Sequence, residues 1–294
     1  MAVDVIKIHY IKYKYHTMKK LFTLFLVLVA FWSAPSMGQA QMANSTVPLP
    51  ADIAAIKKAN VLIVAMTKKD NPPFFSGEGD DIRGLDVEIA RRIGVLLGVP
   101  VQFRRDAESF AEVVEQVRDG RADVAVSKLS VTGPRLQVVK FSDPYIKLRQ
   151  SLVINRLWLS QNSQGREVYQ VIRNFNGKIS FIRNSSYDTF ARINFPNATF
   201  VPEDKWDTII DNVTKGTIAA AYRDEFEIKK ISFEKPDAAI TTKSITISDS
   251  VDNIAVAVNP KAVQLLSIVN HVIKNEYNNI DTKKLMDRYK AEKK

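Results

Sequence analysis

Two stretches of this chain, Phe110 to Lys128 and Trp206 to Asp224, follow one plan, and that echo constrains the architecture more than any single motif. In the first, Ser109 can cap a helix with Glu112 three residues on. The inward face is Phe110, Val113, Val114 and Val117, and Gly120 ends the helix before a strand at Ala122 to Val126. In the second, Asp204 is the cap, Trp206, Ile209, Ile210 and Val213 face inward, and Gly216 ends the helix before Ile218 to Tyr222. The echo is architectural, not a sequence repeat. Upstream, Val61 to Ala65 reads as a strand and Asp86 to Leu97 as a helix with Val87, Ala90, Ile93, Val95 and Leu97 inward. Val99 to Phe103 reads as a further strand. Alternating β and α elements imply an α/β fold.

Open α/β sheets leave a crevice for ligands at the carboxyl ends of their strands. In one copy of the plan that edge carries Ser127 and Ser130; in the other it carries Arg223 and Asp224. Two lobes with facing edges make a cleft. The run Ser127-Lys-Leu-Ser-Val-Thr-Gly-Pro-Arg135 places hydroxyls and a guanidinium in one short turn. Pro134 is suited to open a helix whose free N–H groups and Arg135 face one anion. Asp224 suits an ammonium, so a zwitterion fits between Arg135 and Asp224. The plainer alternatives are an Arg135 that solvates the surface and an Asp224 that caps a helix over Glu225 to Ile231.

That turn, with Phe141-Ser-Asp-Pro-Tyr145 after it, resembles the family 3 extracellular solute-binding proteins, the periplasmic amino-acid receptors of ABC importers. The resemblance runs from about Val61 to the C-terminus. Asn71-Pro-Pro-Phe74 followed by Gly84-Leu-Asp-Val-Glu-Ile-Ala90 is similar to the family's Pro-Phe turn and helix start. It implies a two-lobed α/β fold of the type II periplasmic binding protein kind, with the cleft between the lobes. Arg135 would then clamp the ligand's carboxylate and Asp224 its ammonium. Ser127 and Ser130 would meet the ligand ends and Phe110 would line the side-chain pocket, unless Phe110 is plain core.

The chain also departs from the family pattern. Asn71 stands where relatives carry a stacking aromatic ring. In Gly177-Lys-Ile-Ser-Phe-Ile-Arg-Asn-Ser-Ser-Tyr187, Asn184-Ser185 replaces a glycine before a Ser/Thr pair, which makes Ser186 and Tyr187 the approximate equivalents. Asn is the least costly non-glycine residue at a turn needing positive φ, so Asn184 can absorb that geometry. Lys128 and Arg183 add cations where relatives have small or neutral residues. They favour an acidic or otherwise polar amino acid as ligand, the alternative being that both point to solvent.

Met18 begins a secretory signal: Lys19-Lys20, the apolar stretch Leu21 to Trp32, and small residues up to Ala40. The expectation is a start-site artefact at 1–17 and a signal peptide at 18–40. Residues 41–147 and 250–294 form lobe 1, and 148–249 a lobe 2 inserted within it. The strands crossing between lobes lie near Tyr145 to Gln150 and Ser248 to Asn253, and a helical stretch Ala262 to Tyr289 packs back on lobe 1. The apolar stretch is short against the ~20 residues of a bilayer span. The absence of cysteine removes a lipid-modified N-terminal Cys. These readings predict a periplasmic monomer with no stable membrane anchor, partnered by an inner-membrane ABC permease.

Removing residues 1–40, with five Lys and one Asp, lowers the formal charge from +10 to +6. The remainder is spread out, with no footprint for nucleic acid. No cofactor or metal motif is present. His9, His16 and His271 are the only histidines, no Cys can act as nucleophile, and G-x-S-x-G, H-E-x-x-H and phosphate-cradling glycine loops are missing. An enzyme is therefore disfavoured. A periplasmic dehydratase of this fold, and an accessory or sensor module that binds a protein partner, are the alternatives.

Overall fold

The computed structural model describes residues 47–293; the signal-peptide and start-site readings, and residues 41–46 of lobe 1, lie outside that range. Ten strands occur among the described residues: β1 (Leu62–Thr67), β2 (Val101–Ala107), β3 (Val124–Ala125), β4 (Lys140–Phe141), β5 (Ile146–Asn155), β6 (Lys178–Ile182), β7 (Thr199–Glu203), β8 (Ala220–Asp224), β9 (Thr242–Ile254) and β10 (Ala257–Val258). They form two five-stranded sheets, ordered β2-β1-β3-β10-β4 and β7-β6-β8-β5-β9. Each sheet has a parallel half, β2-β1-β3 or β7-β6-β8, extended by antiparallel neighbours. The molecule is thus a two-lobed α/β protein, and the chain crosses from the first sheet to the second after β4 and returns between β9 and β10.

Both faces of each sheet are covered, which is why the parallel strands read as near-continuous apolar runs. In the first lobe Leu62, Val64 and Met66 pack with Leu85, Ile89 and Ile93, while Ala65 and Ala125 pack with Val113 and Val117 on the opposite face. In the second, Ile179, Phe181 and Tyr222 pack with Phe175, and Val153 and Ala221 with Ile209, Ile210 and Val213. Each fully buried side chain of this size is worth about 1.5–3 kcal/mol in transfer terms.

The helices follow their sequence signals with three corrections. The helix Leu85–Leu97 buries Leu85, Val87, Ile89, Ala90, Ile93 and Leu97, but Val95, expected inward, is 66% exposed. Its entry requires glycine: Gly84 has φ +124°, and a Cβ there would sit 2.4 Å from the Phe74 carbonyl oxygen. Ser109 caps the helix Phe110–Arg118 by accepting the Glu112 N–H at 3.2 Å. The helix Trp206–Lys215 instead has Lys205 at its N-cap with no side-chain cap, because Asp204 turns away to pair with Arg183. The C-terminal stretch is two helices, Val263–Glu276 and Thr282–Glu292. The second covers both lobes: Tyr289 meets the ring of Phe226 edge-on at 6.1 Å and Arg288 pairs with Glu88 at 2.9 Å.

The two lobes are stitched by the ribbon of β5 and β9, paired from Ile146↔Ile254 to Asn155↔Thr242 with a register shift between Arg149 and Ser151. The ribbon's first end reaches the turn after β3, where Ser130 bridges Ile254 and the Val131 N–H donates to the Asn253 carbonyl at 2.8 Å. That contact sets hydroxyl-rich backbone from one lobe beside the crossing strand. No described helix is long and apolar enough to cross a membrane.

Candidate functional site

The turn after β3 is held by buried groups rather than by regular pairing. Ser127 Oγ accepts the Thr67 N–H at 3.2 Å, which ties the turn to the end of β1. Lys128 then enters the left-handed region at φ +47°, uncommon for a residue with a long side chain. Its N–H donates to Asp86 Oδ2 at 2.7 Å, and Tyr145 OH donates to Asp86 Oδ1 at 2.9 Å. Burial pushes the Asp86 carboxyl up to about 7, with those two bonds and the nearby Lys128 charge opposing the rise. Thr132 caps the single helical turn Gly133–Leu136, a shorter element than the helix expected at Pro134. Arg135 Nη1 donates to the Ser130 carbonyl at 2.9 Å. Burial pulls the Arg135 guanidinium down to about 10, partly offset by Asp252.

From the facing lobe, Asp224 ends β8 and caps the helix Glu225–Glu234, its Oδ1 accepting the Glu227 N–H at 3.1 Å. Asp224 is thus the helix cap, and it also lines the cleft. Lys128 crosses the cleft to reach it, with Nζ 3.0 Å from Asp224 Oδ2 and 2.9 Å from Glu227 Oε1. The same ammonium lies 4.8 Å and 5.4 Å from the ring centroids of Phe74 and Phe226. All three charged side chains of this cluster are almost wholly buried. Burial alone would push Glu227 up, but Arg223, Lys128 and Lys230 together hold it well below its ordinary range.

A third carboxylate, Asp252 of β9, completes the site. Its Oδ2 accepts from Ser130 Oγ at 2.9 Å and Tyr187 OH at 3.2 Å, while its buried Oδ1 has no partner among the described residues. Burial, then the Asp224 charge, push its carboxyl up to about 7. Ser130 Oγ also lies 2.8 Å from Ser186 Oγ across the cleft. Because a hydroxyl has one proton, Ser130 donates to Asp252 and accepts from Ser186. The cavity among these groups is about 30 Å³, the volume of a water or two.

Phe110, Lys128, Ser130, Arg135, Ser186, Tyr187 and Asp224 all line that one cavity. Three other candidates do not. Ser127 is fully buried behind it, its hydroxyl oxygen taken by Thr67. Asn71 pairs through its backbone with Phe75 in the turn containing the cis Pro72–Pro73 bond. Arg183 is half exposed and turned to Asp204 at 2.9 Å and the Pro202 carbonyl at 2.8 Å. Asn184 does supply the left-handed turn, at φ +56°. Lys128 departs from its expected role, because its charge meets Asp224 and Glu227 instead of open cleft. The cleft also recruits Asp252 and Tyr222, which sequence reasoning missed. Nothing marks Asp252 in the polar strand Ser248-Asp-Ser-Val-Asp252, although Glu227, three residues after a cap, was legible as its N3 partner.

Known proteins agree with this architecture. The chain is 28% identical over 149 residues to the ABC transporter glutamine-binding protein GlnH of Bacillus subtilis, an alignment covering 47% of this chain and 53% of that protein. It spans between about a third and about a half of the length of the curated relatives it matches. Among solved structures it matches the amino acid ABC transporter substrate-binding protein AbpA from Streptococcus pneumoniae bound to L-arginine. The TM-score is 0.64 at 26% identity, over 81% of this chain and 98% of that one. Holo ArgBP from T. maritima shares the fold, with TM-score 0.58 and 22% identity over 76% and 96% of the two chains. The model of the bacterial extracellular solute-binding proteins, family 3, matches residues 62–292, so this chain belongs to that family.

Proposed function

We propose that this protein is a periplasmic receptor for a small solute of the amino-acid class, which it binds by closing its lobes and delivers to an inner-membrane ABC permease. The observation that carries the reading is the convergence of Arg135 and Ser130 from one lobe with Ser186, Tyr187 and Asp224 from the other on a single cavity. Buried guanidinium and hydroxyl groups with open hydrogen-bonding capacity recognise a carboxylate. Closure around it expels water and strengthens the charged contacts. We take the lobes, over the described residues, as 48–147 with 250–293, and 148–249, hinged where β5 and β9 cross. Its likeness to the glutamine-binding protein GlnH and to AbpA bound to L-arginine supports an amino-acid ligand.

The preference for an acidic side chain loses its support. It rested on Lys128 and Arg183; the first is matched by two carboxylates and the second points away from the cavity. The test is calorimetric titration with a panel of amino acids. Micromolar or tighter binding of at least one is expected, and Arg135→Ala should weaken it by about 3 kcal/mol or more. A loss below about 1 kcal/mol would put Arg135 outside the ligand contacts.

One observation favours a second reading. The cleft is already bridged by an internal ion pair, which takes up a charge that a solute would otherwise meet and suits an accessory or sensor module that binds a protein partner. Such a module would gain no thermal stability from any small solute, whereas a receptor gains it by mass action. Turnover of a cyclic carboxylate such as prephenate would instead mark a dehydratase.

A further inference from the structure

The ammonium partner that family likeness assigns to Asp224 is present within the chain. Each Asp224 oxygen has a donor, the Glu227 N–H on Oδ1 and Lys128 Nζ on Oδ2. Phe74 and Phe226 close the remaining sides of that ammonium. The strained left-handed backbone of Lys128 is what launches the side chain toward this cage, and Asp86 fixes that strain by holding the Lys128 N–H. Asp252 is the opposite case. Asp252 lines the same cavity, and its buried Oδ1 has no donor among the described residues, which a carboxylate tolerates poorly unless something supplies one. Arg135 likewise has one of its five N–H groups bonded, to Ser130, and lines the same cavity.

We propose that Asp252 Oδ1 receives the ammonium of the solute, with Arg135 on its carboxylate, and that Lys128 permanently fills the cation site at Asp224. The inference rests on the receptor reading above and names the solute more narrowly. Ser130 touches both poles, its carbonyl bonded to Arg135 and its hydroxyl to Asp252. Both poles are therefore anchored to one residue, which suits an ammonium near the carboxylate, as in a 2-amino acid. With Lys128 filling the aromatic and acidic cage, a long basic side chain has no place in it. The cavity that remains is about 30 Å³, so the solute is a 2-amino acid with a short, uncharged side chain.

Calorimetry with glycine, alanine, serine, β-alanine, arginine and glutamate, on wild type, Asp252→Asn, Asp224→Asn and Lys128→Met, tests this. Wild type should bind one of the first three best and β-alanine more weakly. Asp252→Asn should lose about 30-fold or more in affinity while melting no lower than wild type, since the amide keeps the shape without the buried charge. Lys128→Met should gain affinity for arginine by about tenfold, the cage having been vacated. If wild type binds amino acids but Asp224→Asn abolishes binding and Asp252→Asn leaves it within threefold, the proposal is overturned and the receptor reading stands. Arginine binding best to wild type has the same consequence. A wild-type protein that answers to no amino acid overturns both.

Discussion

The two halves of the cleft differ in how fully the protein satisfies itself. Around Lys128, two carboxylates, two aromatic rings and a cap bond leave nothing for a visitor to supply. Around Arg135 and Asp252, a guanidinium with spare donors and a carboxylate with an orphaned oxygen share the same wall. The same residue types thus do opposite work. Where charges are mutually paired in a dry interior, removing one member is costly; where a group is unpaired, its removal is better tolerated.

The sharpest way to break that contrast is Lys128→Met. Deleting the cation leaves Asp224 and Glu227 buried side by side with weaker compensation from Arg223 at 3.9 Å and Lys230 at 3.3 Å. Breaking a buried pair by removing one partner costs about 3–5 kcal/mol, although protonation of a carboxylate and those remaining cations pull the expectation to the lower end. Chemical denaturation at pH 7.5 measures it. A change below about 1 kcal/mol would mean that the cluster is solvated in solution and the contrast is false.

Much of this was legible in the chain and some of it was not, for identifiable reasons. The paired helix–strand plan, the glycine stops at Gly120 and Gly216, and the cap at Ser109 depend on local backbone chemistry, and local chemistry is written locally. Arg135 and Asp224 could be placed on facing edges because strand ends in an open α/β sheet are themselves local features. Asp252 could not. Its significance comes from Ser130 and Tyr187, 122 and 65 residues away in sequence, and from the register of a long ribbon that carries a shift midway. Arg183 failed for a related reason. Its neighbour on the adjoining strand end, Asp204, was assigned to a helix cap, so the more favourable local pair went unseen.

Asp252 offers the second test, through pH. Its folded carboxyl titrates at about 7 against an ordinary 3.8, so the unfolded chain gives up the proton first. The stability this group contributes is therefore complete below its ordinary range and is lost as pH rises through about 7. Asp86, raised to about 7 as well, adds in the same direction. Glu227, held low, acts oppositely and only on acidification below its ordinary 4.5, which leaves pH 5 to 8 as the informative window. Linkage for a shift of this size has a ceiling of about 4 kcal/mol per group, so a decline of about 2 kcal/mol or more between pH 5 and 8 is expected. In Asp252→Asn roughly half of that decline should vanish, with the two proteins converging only as pH falls to about 4. A ligand-free protein whose stability is flat across the window would place Asp252 in contact with water.

The smallest effect belongs to Arg183, and its smallness is the point. Its partner Asp204 is 78% exposed and Arg183 itself 51% exposed, so their attraction is screened by solvent and offset by the ordering of two long side chains. Arg183→Ala should shift stability by less than about 0.5 kcal/mol and leave amino-acid affinity within about twofold, because the side chain has no part in the cavity wall. Titration of the variant beside wild type at low and at 0.5 M salt separates the two ways Arg183 could still matter. A loss confined to low salt would be long-range steering of an anionic solute, which acts on the association rate. A loss that persists at high salt would put the guanidinium in contact with the ligand, and the acidic side-chain preference would return with it.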